Sequence, residues 1–64
     1  MKVKKVEIST LSWGTHFQIK RLGRWYKVYD FVKSSVTDES YVLGSIDNTI
    51  TAFKSERFVF IEVK

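Results

Sequence analysis

The 64 residues include no cysteine, no proline and one histidine, and carry a formal net charge of +4, which excludes a disulfide framework and a structural zinc site of the His and Cys kind. A chain this short buries roughly 60% of the surface its unfolded form exposes. Its stability must come from packing, and its ten aromatic residues are the expected source.

The charge is unevenly spread. Residues 1–33 hold eight Lys or Arg against Glu7 and Asp30, whereas residues 34–64 hold three against five acidic residues. An anionic partner would meet the basic half, although lysines that only keep strand edges soluble would produce the same asymmetry. The lysine-rich start is not followed by the apolar run of a secretory signal, and no stretch approaches the ~20 apolar residues of a membrane helix. The expectation is a cytoplasmic chain with no membrane partner, its lack of cysteine fitting a reducing compartment.

Residues 2–8 predict a first strand in which Val3 differs in parity from Val6 and Ile8. A bulge near Lys4-Lys5 would bring all three to one core. Ser9 to Gly14 reads as a loop ending in a tight bend at Trp13-Gly14, with the indole expected as a lid over the end of a barrel. Phe17 and Ile19 alternate with His16, Gln18 and Lys20, the pattern of a strand with a polar, exposed outer face. Arg21-Leu22-Gly23 predicts a hairpin turn with Gly23 in the left-handed region, and Arg24 to Lys33 is the returning strand.

Lys33 to Ser40 is polar and is expected to be an exposed loop. Tyr41 to Ile46 and Thr49 to Phe53 predict a second hairpin about an Asp47-Asn48 turn, both turn residues tolerating positive φ. A single helical turn capped by Thr49 is the competing assignment for the return segment. After a short turn at Lys54 to Glu56, Arg57 to Val63 closes the chain, with Val59, Ile61 and Val63 on one face and Phe58, Phe60 and Glu62 on the other. The first and last strands are expected to pair and so close the barrel. The sum is one all-β domain over residues 1–64: a small antiparallel five- or six-stranded barrel, SH3-like in preference to OB-like.

Catalytic chemistry finds little support. His16 is the lone histidine and is expected to be solvent-exposed, no nucleophile elbow or phosphate loop is present, and adjacent Asp38 and Glu39 would point to opposite sides of an extended chain. The expectation is a non-enzyme without cofactor or metal.

The remaining signal is the long strand. Unbroken alternation puts Trp25, Lys27, Tyr29, Phe31 and Lys33 on one face, with Arg24, Tyr26, Val28, Asp30 and Val32 on the other. With Val28 and Val32 inward, aromatics would stack on bases while Lys20, Arg21, Arg24, Lys27 and Lys33 contact phosphates, making a nucleic-acid platform. A bulge near Asp30 would instead send aromatics of both parities into the core. The alternative is a protein-interaction module, a small inhibitor or adaptor of the kind viruses and mobile elements encode. It would present Phe58 and Phe60, or an edge strand, to a partner protein or to its own copy.

Overall fold

The computed structural model describes residues 2–63, in which the strands are β1 (Lys2–Glu7), β2 (His16–Gln18), β3 (Trp25–Lys33), β4 (Ser40–Ile46), β5 (Thr49–Lys54) and β6 (Phe58–Val63). The one helical element among these residues is a 3₁₀ turn at Ile8–Thr10. All six strands join a single antiparallel sheet in the order β1-β6-β2-β3-β4-β5, curled into a half-barrel. The first and last strands pair as expected, from Lys2 opposite Val63 to Glu7 opposite Phe58. Their pairing does not close the sheet, whose two edges are β1 and β5.

The inner, concave face holds the core of Ile8, Leu11, Phe17, Val28, Val42, Phe53 and Val59. Burying an aliphatic or aromatic side chain of this kind is worth about 1.5–3 kcal/mol. Three aromatics from three strands pack together at its margin. The Phe17 and Tyr26 rings stack at 5.6 Å, and Phe53 meets both edge-on, at 5.8 and 5.5 Å. Such pairs add to the area term because ring edges and faces carry opposite partial charge.

Gly44 makes room for this cluster. A Cβ there would lie 2.8 Å from Phe17 Cζ and 3.0 Å from Phe53 Cε2.

Several local expectations are corrected. The Lys4-Lys5 bulge does not form, because β1 pairs with β6 residue for residue. Val6 faces inward opposite Val59, Ile8 enters the core by turning into the 3₁₀ segment, and Val3 stays half-exposed on the other face. Trp13 is not a lid. The bend at Trp13-Gly14 exists, with Gly14 at φ +82, but the indole is 71% exposed and stacks on Phe31 at 6.3 Å.

The β2–β3 turn closes through the Gly23 N–H donating to the Lys20 carbonyl at 3.0 Å. The left-handed residue is Leu22 (φ 63), not Gly23. Glycine suits position 23 for a different reason, since a Cβ there would lie 3.0 Å from the Lys20 carbonyl oxygen, a tight contact that the turn would have to yield to.

Gln18, expected on an exposed face, is 5% exposed. Its strand is central, so the side chain is flanked by its cross-strand neighbours Trp25 and Phe60. Its Nε2 donates to the Gly23 carbonyl at 2.8 Å, and its Oε1 is buried without a partner.

The second hairpin matches expectation. Asp47 and Asn48 both have positive φ (51 and 63), and β5 is a strand. The Ser34–Glu39 loop is tied at its base by the Ser34 N–H donating to the Glu39 carbonyl at 2.8 Å, and Asp38 sits at φ 62.

Candidate functional site

Strand β3 pairs with β4 in two registers. Val28 lies opposite Gly44 and Asp30 opposite Leu43, leaving Tyr29 as an extra residue in a bulge. One extra residue reverses the alternation. Before the bulge Tyr26 and Val28 face the core, with Trp25 and Lys27 outside. After it Phe31 lies opposite the core residue Val42, so it shares the inner face, and Val32 turns outward.

The expected single face of Trp25, Lys27, Tyr29, Phe31 and Lys33 is therefore divided. The expectation that Val28 and Val32 share an inner face also fails: Val28 is buried and Val32 is exposed. The bulge nevertheless does not turn the strand's aromatics into core. Tyr29 is 58% exposed, Phe31 is partly exposed beside Trp13, and Trp25 is half-buried.

The part that remains together lies on the outer, convex face. Across the sheet, Lys5, Phe60, Gln18 and Trp25 form one row of opposite residues, and His16, Lys27, Ser45 and Ile50 form another. Opposite side chains on one face stand about 4.5–5.5 Å apart at Cβ, so the rows are continuous surfaces. An open recess lies over the second row, lined by His16, Trp25, Lys27, Tyr29, Asp47 and Ile50. His16 is exposed there, as expected, and sequence reasoning did not place Ile50 or Asp47 beside the aromatics. Their contribution depends on β5 folding back onto β4, which the Asp47-Asn48 turn dictates.

The cations divide as well. Lys20, Arg21 and Lys27 are exposed. Arg24 forms a salt bridge with Asp47, but with Lys20 it lines a separate recess beside Tyr26 and Phe53, and Lys33 pairs with Asp38 at 3.1 Å. Both pairs are well exposed, and ion pairs of this kind are worth about 0–1 kcal/mol. Lys33 lies beyond the bulge at the end of β3, away from the recess.

Phe58 and Phe60 share the outer face. Phe58 is 53% exposed with the Lys5 ammonium 5.5 Å from its ring centre, and Phe60 is half-buried beside Gln18. Among the described residues no group of three or more His, Cys, Asp or Glu side chains could hold a metal ion, and no helix is long and apolar enough to cross a membrane. No known protein-family model, curated protein or solved structure matches the chain.

Proposed function

We propose that the protein binds single-stranded nucleic acid on its convex face. The observation that carries the reading is that the exposed Tyr29, the half-buried Trp25 and Lys27, which stands between them along the strand, line one open recess. A flat aromatic takes any base, which gives stacking without sequence readout, and a neighbouring lysine meets the phosphate that follows. Lys20 and Arg21 extend the positive track around the β2–β3 turn. Arg24 joins it by exchanging Asp47 for a phosphate. The proposed role is binding and not catalysis.

The test is titration of a Trp13→Phe variant with a single-stranded oligonucleotide, in which Trp25 is the sole indole. Quenching is expected, and Tyr29→Ala should weaken binding by about 1–3 kcal/mol, the worth of one stacked base. With these four cations engaged, log K should fall with log salt at a slope of about −3. Absence of quenching and of a mobility shift at low salt overturns the proposal.

A second reading, contact with a partner protein, is favoured by one observation: Phe58 is more than half exposed on the same face as Phe60. Under it, Phe58→Ala abolishes partner association while leaving oligonucleotide quenching unchanged.

A further inference from the structure

The two edges of the sheet differ in chemistry. β1 reads Lys-Val-Lys-Lys-Val-Glu, four charges in six residues. Lysines on an edge discourage another strand from pairing there. β5 reads Thr-Ile-Thr-Ala-Phe-Lys, with no charge before its last residue and no proline, and its register with β4 is unbroken from Thr49 to Lys54. Only Phe53 of these six residues is buried.

The hairpin fixes which backbone groups are free. A two-residue turn with both φ values positive makes Ile46 and Thr49 a hydrogen-bonded pair, and such pairs alternate along an antiparallel ladder. Gly44 with Thr51 is then the next bonded pair. The N–H and C=O groups of Ile50 and Ala52 consequently point away from β4, toward open space.

We propose that β5 pairs with β5 of a second copy of this chain, antiparallel about a two-fold axis perpendicular to the sheet. Charge selects the occupant. Self-pairing of β1 would set lysines against lysines, whereas self-pairing of β5 sets neutral residues against neutral residues, on the half of the chain that carries net negative charge. Two positively charged copies thereby approach through the region where their repulsion is least.

The axis must preserve inside and outside, so opposite residues share parity. Of the two registers that cover the whole strand, the one with Thr51 on the axis keeps Lys54 clear of the apolar Ile50, setting Ile50 opposite Ala52 of the copy and Lys54 opposite its Asn48. The free groups of Ile50 and Ala52 are thereby satisfied reciprocally. Because the axis is perpendicular to the sheet, both convex faces lie on the same side of a twelve-stranded sheet. Ile50, which lines the recess beside Tyr29, then stands at the seam between two such recesses.

This inference does not depend on nucleic-acid binding, and its test excludes nucleic acid. Nuclease-treated protein is examined by sedimentation velocity over a wide concentration range, the charge variants at low salt, where exposed charges are not screened. A concentration-dependent dimer is expected, and a monomer throughout overturns the proposal. Thr51 is exposed, so Thr51→Lys and Thr51→Glu leave the monomer folded, as circular dichroism will show. On the axis each variant faces its own charge, and dimer dissociation constants should rise at least about fivefold. An equimolar mixture of the two should dimerise again. Variants that dimerise like the wild type, or a mixture that is not rescued, place the contact elsewhere and overturn the assignment.

Discussion

The segments of β3 on either side of Tyr29 are alike in composition and opposite in what they do. Trp25 to Val28 alternates cleanly, with Tyr26 and Val28 in the core and Trp25 and Lys27 on the convex face. Asp30 to Lys33 has no buried residue, and Phe31 stacks on an indole that is itself largely in solvent. One segment is held between β2 and β4 while the other has β4 alone as its strand partner. Aromatic content does not decide burial in a small sheet; the number of flanking strands does.

The largest effect separating the two segments should come from Tyr26→Ala. It removes a ring packed on both Phe17 and Phe53, and urea unfolding should show a loss of about 2–3 kcal/mol. If Tyr26→Ala and Phe31→Ala cost the same, the contrast fails. Phe31→Ala should cost only about 0.5–1 kcal/mol, and its signature should be spectroscopic, a change in Trp13 emission as the indole loses its stacking partner.

The smallest effect is electrostatic and lies opposite Val32, where the Tyr41 hydroxyl donates to the Glu39 carboxylate at 2.5 Å. That bond, reinforced by partial burial and the nearby negative charge, raises the Tyr41 phenol above its ordinary value of 10.0. A raised phenol contributes stability that is fully present below the unfolded value and is lost as pH rises through the folded one. Glu39→Gln should therefore bring the phenolate absorbance transition of Tyr41 to lower pH. An unchanged transition would show that the bond between Tyr41 and Glu39 does not hold beside this segment.

The sequence made the second hairpin and the closing strand legible. Asp47-Asn48 tolerates positive φ at both positions, and the alternation of Phe58 to Val63 shows directly which residues face Val6 and which face Lys5. The site was only half legible. A bulge near Asp30 was foreseeable, but the strand contains no glycine to mark Tyr29 as its position, and only the β4 register reveals it. Gln18 looked like a surface residue because alternation reports the face of a strand and not its neighbours. The Leu22–Gly23 exchange of roles arose because a turn can need glycine either for backbone sign or for space, and composition does not distinguish the two.

Gly44 has a consequence beyond packing. A two-residue slip of β4 against its neighbours keeps every side chain on its proper face, so the pattern of inside and outside cannot reject it. Such a slip would bring Val42 or Ile46 beneath the Phe17 and Phe53 rings, where even a methyl group has no space. The missing side chain works as the notch of a key. It admits one alignment of two hairpins and turns away the near-miss alignments that hydrophobic patterning alone would accept.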